Sequence, residues 1–216
     1  VHLLRPDWFY RILTAHGFDM LVCWIVFFEV AGLYFGSTIM LDASLVAPRV
    51  GWVSFALMAR GAVMTNIFVL MGKADVMFTA YVPLKAHPLF YLGIVLFAVG
   101  ALIAVFLFFA TVITAKREKS YEGSVPLVTY GLIAAAIIAI YTLVAGALAF
   151  VPALLWSLDW IPALDPGYYR NLFWGFGHPA QQINLAAMVS IWYALAAITV
   201  GAVPLNEKRS RTAFIL

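Results

Sequence analysis

The sequence predicts an all-α membrane protein with five transmembrane helices, and three observations predict it. Hydrophobic residues fill 65% of the 216 positions and charged residues only 11%, against about 25% charged in a soluble domain. Mean hydropathy is +0.99. The apolar residues fall into five runs, each exceeding the roughly 20 residues that a helix needs to cross a bilayer. Such runs are helical because lipid satisfies no backbone groups. Seven Trp, 10 Tyr and 17 Phe suit a bundle with aromatic residues at both interfaces.

Composition also excludes some classes. The net charge of +3 is spread over several loops. It forms no basic stripe, so no nucleic-acid partner is expected. The single cysteine, Cys23, allows no internal disulfide and no cysteine-only metal site. It sits in an apolar run and is expected in the core.

Residues 1–10 form a polar-aromatic approach, with Trp8, Phe9 and Tyr10 at interfacial spacing. Residue 1 is Val, and residues 1–10 are not expected to act as a signal peptide. Residues 212–216 resemble the opening of another apolar helix, so the chain is expected to be an internal piece of a longer protein. The spans are expected at about 12–41, 51–71, 89–115, 125–155 and 172–203, as a single transmembrane domain. The loop 76–88, with aromatics and two prolines, is expected to cap one surface, with His87 in a surface or capping role. The loop 159–170 has the turn chemistry of a second cap.

Loop charge sets the orientation. One side holds seven cations: Arg49, Lys116, Arg117, Lys119, Lys208, Arg209 and Arg211. The other holds five: Arg5, Arg11, Lys73, Lys85 and Arg170. The first set is expected in the cytoplasm. The chain then starts outside, and His16 and His178 lie at the starts of two helices running in the same direction, near the outer face.

Three ionisable residues fall inside spans, where a charge costs at least about 2.5–3.5 kcal/mol. Asp19 follows His16 by three residues and is read as orienting it, accepting a proton, or sitting neutral beside a polar neighbour. Glu29 follows His16 by 13 residues, well off its face. It is read as a proton-entry group or as a carboxyl paired with a cation or facing another subunit. Arg60, between Ala59 and Gly61, is expected to pair with Glu29 or Asp19.

The run Phe173-Trp174-Gly175-Phe176-Gly177-His178-Pro179 is the most informative stretch. Proline is tolerated in a helix's first turn, so His178 is expected to project from the first turn of the last span. It is either a helix-end histidine bonded to a carbonyl or a metal ligand. Gln182, Val189 and Tyr193 return to its face. Gln182, Ser190 and Tyr193 form a broken polar line, read either as a proton route or as interhelical hydrogen bonding.

These motifs carry a family resemblance. The run from Leu172 to Pro179, the run YVPLKAHPLFYLG from Tyr81 to Gly93, and Thr14-Ala15-His16-Gly17 resemble subunit I of B-type haem-copper oxidases. The resemblance covers essentially the whole chain, as part of a larger twelve-helix-type bundle. It implies that His16 is an axial ligand of a low-spin haem and that His178 is a ligand of the active-site copper. It places Trp174 close to that copper and Tyr193 on a proton-input path, with Ser190, Glu29 and Asp19 as further proton-path candidates. Neutral imidazole suits both iron and copper.

Gln182 departs from the family, whose oxygen-reducing members usually carry a tyrosine at that position. Some relatives that reduce nitric oxide lack this tyrosine. Trp174, Gln182 and Tyr193 are therefore the candidate catalytic positions. Val189 also replaces a family tyrosine on the proton path.

The resemblance implies a low-spin haem, a high-spin haem and copper as cofactors. The remaining ligands are expected beyond Leu216, in missing C-terminal helices of the same subunit. A donor subunit with cytochrome c or a similar donor is the expected partner. The setting is the lipid of a prokaryotic cell (inner) membrane, crossed several times. The expected function is terminal oxidase. Alternatives are a nitric oxide reductase on the same scaffold, and a redox-free transporter or channel with a polar path through Asp19, Glu29 and Arg60.

Overall fold

The structure is a computed structural model that describes residues 3–216, so Val1 and His2 of the expected aromatic approach lie outside the described residues. Five helices are long and apolar enough to cross a membrane. They are α1 (Pro6–Thr38), α2 (Pro48–Leu70), α3 (Pro88–Glu118), α4 (Leu127–Ser157) and α5 (Pro166–Val200). A short α6 (Glu207–Ala213) follows. No strand occurs among the described residues. The chain is an all-α membrane protein.

Proline starts most of these helices. Pro6, Pro48, Pro88 and Pro166 each occupy the first turn, where the absent N–H is no loss and φ is already helical. Two starts add a side-chain cap. Tyr168 N donates to Asp165 Oδ1 at 2.6 Å, and Leu89 N donates to His87 Nδ1 at 3.2 Å. His87 thus caps α3, and its ring stacks on Phe68 with centroids 4.4 Å apart.

Small residues bring α2 and α3 together. A Cβ on Gly61 would lie 2.4 Å from the Gly93 carbonyl oxygen, and one on Gly100 would lie 2.7 Å from the Ser54 carbonyl oxygen. Ser54 Oγ donates to Gly100 O at 2.7 Å across this seam. Backbones approach this closely only where side chains are absent. Helices α4 and α5 pack through a similar alanine-rich seam that includes Ala135, Ala139 and Ala187.

Helix α1 lies across the other four. Phe27 packs on Phe55 of α2 and Phe97 of α3, while Gly36 abuts Leu132 of α4 and Gly32 faces Ile191 of α5. Its middle, Asp19–Trp24, is a π-helical turn. Such single wide turns inside α-helices frequently mark functional sites.

The loop 74–88 caps one end of the bundle. Met77 N donates to Thr14 Oγ1 of α1 at 3.0 Å. Tyr169 of α5 donates its hydroxyl to Thr79 O at 2.9 Å. The Phe78 ring lies against Gly17 on one side and Phe173 on the other. The cap therefore ties the start of α1 to the start of α5.

Two starts differ from the sequence expectation, and both matter for the site. Helix α1 begins at Pro6 and α5 at Pro166, each six residues early. His16 thus lies ten residues inside α1 and His178 twelve residues inside α5, not at the helix starts. Pro179 sits within the helix. The Asp165-Pro166 pair supplies the cap and the first-turn proline that Pro179 was expected to supply. Near the other terminus, a short helix runs over Glu207–Ala213.

Candidate functional site

Helix α5 has two distinct faces. Tyr169, Phe173, Ile183, Ala187, Ser190 and Ala194 are buried at heptad-like spacing and fix its rotation against α4 and α1. Trp174, His178, Gln181, Gln182, Leu185 and Trp192 consequently lie on the outer face. Helix α1 behaves likewise. Thr14, Gly17 and Phe18 are buried, and His16 is turned outward with Ile12 and Met20.

The cap relates the depths of the two imidazoles. Phe78 touches Gly17, the neighbour of His16, and also Phe173. One cap residue thus touches the neighbour of His16 and Phe173, and His178 lies five residues beyond Phe173, about 7.5 Å further along α5 at 1.5 Å per residue. Trp174 stands one turn before His178. Its indole Nε1 donates to the hydroxyl of Tyr81 in the cap, and its ring meets Phe173 edge-on. Tyr81 packs in turn on Tyr169 and Phe173 and receives the Arg170 guanidinium over its ring. This aromatic cluster fixes the orientation of Trp174.

Neither His16 nor His178 hydrogen-bonds another described residue. Both rings keep nitrogens free for a metal, and neutral imidazole is a fitting donor for iron or copper. No cluster of three or more His, Cys, Asp or Glu side chains suited to a metal occurs among the described residues. Each histidine stands apart from any such cluster among the described residues.

The polar line expected below His178 is split. Gln182, Val189 and Tyr193 line a surface cavity of about 520 Å³ together with Ser210 and Phe214. Tyr193 donates its hydroxyl to Ser210 Oγ at 3.0 Å. Ser190 is not part of it. Its side chain is buried against Gly131 of α4, and its hydroxyl donates to Ala186 O at 2.7 Å. Twelve residues from His178 amount to a rotation of about 120°, which carries Ser190 to the inner face.

The three intramembrane ionisable groups also part company. Asn66 of α2 donates to Asp19 Oδ1 at 2.7 Å, so Asp19 has a polar neighbour. Glu29 is buried and faces α4 and α5. Arg60 is exposed and borders a shallow surface cavity with Ala59, Val63, Met64 and Ile67. The expected pairing of Arg60 with Glu29 or Asp19 is absent among the described ion pairs, because Arg60 is exposed, about 100° around α2 from the Gly61 seam. The three groups line no common path. Cys23 is in the core, as expected. The sequence reading did not anticipate Tyr81, Phe78 or Asn66 as partners of the site. Each acts across a long stretch of chain, and only its aromatic or amide character was visible.

Comparison with known proteins follows this geometry. The family model described as cytochrome c and quinol oxidase polypeptide I matches residues 1–216. Cytochrome c oxidase subunit 1 of Thermus thermophilus is 28% identical over 214 residues, covering 96% of this chain and 37% of that protein. Cytochrome c oxidase polypeptide 1 of Halobacterium salinarum is 26% identical over 193 residues, covering 82% of this chain and 32% of that protein. Among solved structures, a cryo-EM structure of a heme-copper terminal oxidase dimer superposes with a TM-score of 0.89 at 30% identity, covering 96% of this chain and 36% of that one. The chain spans about a third of the length of these relatives.

Proposed function

The chain belongs to the cytochrome c and quinol oxidase polypeptide I family, and on that premise we propose that it forms part of the catalytic subunit of a B-type respiratory haem-copper terminal oxidase. Electrons come from a cytochrome c or a similar donor through a partner subunit, and dioxygen is reduced to water with proton uptake. The 216 residues act as a single transmembrane domain in a prokaryotic cell membrane. The observation that carries this reading is the pair of unpartnered imidazoles, His16 and His178, on outward faces beneath one cap. Those faces also carry Gln181 and Gln182. Polar side chains are costly against lipid, which supports further protein covering them.

In this reading His16 holds a low-spin haem and His178 holds the copper that pairs with a high-spin haem. When bound, these groups supply electron transfer and oxygen reduction. The chain's own residues position and supply protons. The cap fixes Trp174, one turn before His178, through Tyr81. Gln182, one turn deeper, offers an amide that donates and accepts hydrogen bonds. Tyr193 and Ser210 form a hydroxyl pair in the same cavity and are the proposed entry for protons. Asp19 supports α1 beside His16 through Asn66.

The test is reduced-minus-oxidised spectroscopy with metal analysis on the full-length subunit. His178→Ala is expected to remove copper and keep the low-spin haem bands, and His16→Ala to do the reverse. Full metal content and activity in both variants would overturn the assignment. A second reading, nitric oxide reduction, is favoured by Gln182 alone, since an amide supplies no phenolic electron and proton for O–O cleavage. Rates of O₂ and NO consumption on one preparation separate the two.

A further inference from the structure

Glu29 is a carboxyl buried in the bundle with an unanswered oxygen. It is 7% exposed, and its Oε1 is buried with no hydrogen-bond partner. It borders a partly open cavity of about 40 Å³ lined by α1, α3, α4 and α5. The wall is aliphatic and aromatic except at Thr142 of α4.

Among the described residues, nothing lining this cavity compensates a charge. The lining residues are Ala101 and Val105 from α3, small and aliphatic residues with Thr142 from α4, and Phe176, Ala180, Ile183 and Ala187 from α5. None is titratable. On α1 itself Asp19 is engaged by Asn66 of α2, and Cys23 is packed in the other part of the core. A carboxylate here would be an isolated ion in an apolar medium, and such a group takes up a proton instead. The resulting carboxylic acid has one O–H donor and an acceptor oxygen, and the protein leaves them unfilled.

Thr142 has lone pairs to offer a water in this cavity. Its hydroxyl donates to Ile138 O at 2.8 Å, which consumes its hydrogen and leaves its lone pairs free. A water needs roughly 10–15 Å³ of such space and at least two polar partners. The cavity has the space, and Glu29 with Thr142 are the two partners. We propose that Glu29, held as the neutral acid, and Thr142 bind a water in this cavity and together form a proton-holding site inside the chain's own helices. The site is separate from the His178 face and does not rest on the redox reading.

Infrared spectroscopy of the full-length protein in its membrane tests this directly. Wild type is expected to show the carbonyl stretch of a protonated carboxylic acid, displaced in D₂O. Glu29→Gln is expected to abolish that band. Thr142→Val keeps the shape of the side chain and removes the water's second anchor, so the band is expected to move to higher frequency as its hydrogen bonding weakens. Ala139→Leu, which fills the cavity, is expected to move it the same way. A spectrum in which Glu29→Gln removes no protonated-carboxyl band overturns the proposal. So does a band that stays in place in both Thr142→Val and Ala139→Leu. Should Glu29→Gln fail to accumulate, the two cavity variants still decide, because they leave Glu29 intact.

Discussion

Gly61 and Gly175 look alike in the sequence, since each sits in an apolar helix between larger residues. Their surroundings differ sharply. A Cβ at Gly61 would press within 2.4 Å of the Gly93 carbonyl and 2.6 Å of Phe97 N, both backbone atoms of α3 that cannot swing away. A Cβ at Gly175 would meet Ala145 Cβ at 3.5 Å, an ordinary contact. Gly61→Ala is therefore expected to force α2 and α3 apart and cost about 1–3 kcal/mol, the usual range for overpacking. Gly175→Ala is expected to be close to neutral. Thermal denaturation of the two variants, followed by helical circular dichroism in one detergent, checks the contrast, and equal midpoints would contradict the seam. Residue-scale logic also explains Arg60. Its neighbours Ala59 and Gly61 suggested a close helix approach, and Gly61 does make one, but Arg60 itself lies one step of about 100° away and points out of the bundle.

At the scale of single elements, the starts of the helices decide where the site lies. Asp165 accepts from Tyr168 N, and Pro166 follows it. This cap and first-turn proline begin α5 and bring Tyr169 and Phe173 under the loop 74–88. Asp165→Ala is expected to cost about 0.5–2 kcal/mol, the range for a lost N-cap. It should also raise amide hydrogen exchange over the first turn of α5 while leaving the middle of the helix protected. Tyr169→Phe is expected to leave the buried Thr79 carbonyl unanswered, at about 1–3 kcal/mol, and to speed exchange within the cap rather than within α4. The membrane class and its five helices were legible in the sequence, because the length and apolarity of each run leave no other solution. Helix starts were less legible. The sequence has two X-Pro signals ahead of the last span's apolar run, and Pro179 was given the role that Asp165-Pro166 performs. The histidines themselves were readable as candidate ligands, whereas the Trp174–Tyr81 hydrogen bond was not, since it joins residues far apart in the chain. Ser190 was misplaced by about 120° because its polarity was weighed above its phase.

At the scale of the whole molecule, orientation follows from where the cations end up. Arg49 opens α2, Lys116 and Arg117 close α3, Lys119 caps it, and Lys208, Arg209 and Arg211 lie on α6. Alternation of the helices puts all seven at one end. Three of the five at the capped end are engaged. Arg11 lies 3.7 Å from Asp75 and 3.9 Å from Asp7, and Lys85 lies 2.5 Å from Asp159. Arg170 covers Tyr81. Acidic partners contribute little to topology, because the bias counts Lys and Arg near the span ends rather than net charge. The seven-to-five difference therefore still favours the capped end outside. Cys23, the one thiol of these 216 residues, is buried, so labelling is read against the same protein without the introduced cysteine. Leu84→Cys in the cap, where Leu84 is exposed, is expected to react with a membrane-impermeant maleimide on intact cells. Glu122→Cys, in the exposed turn after α3, is expected to react only after the membrane is opened. The reverse pattern would turn the molecule over and place His16 and His178 toward the cytoplasmic side, and the route for protons through Tyr193 and Ser210 would then open outward.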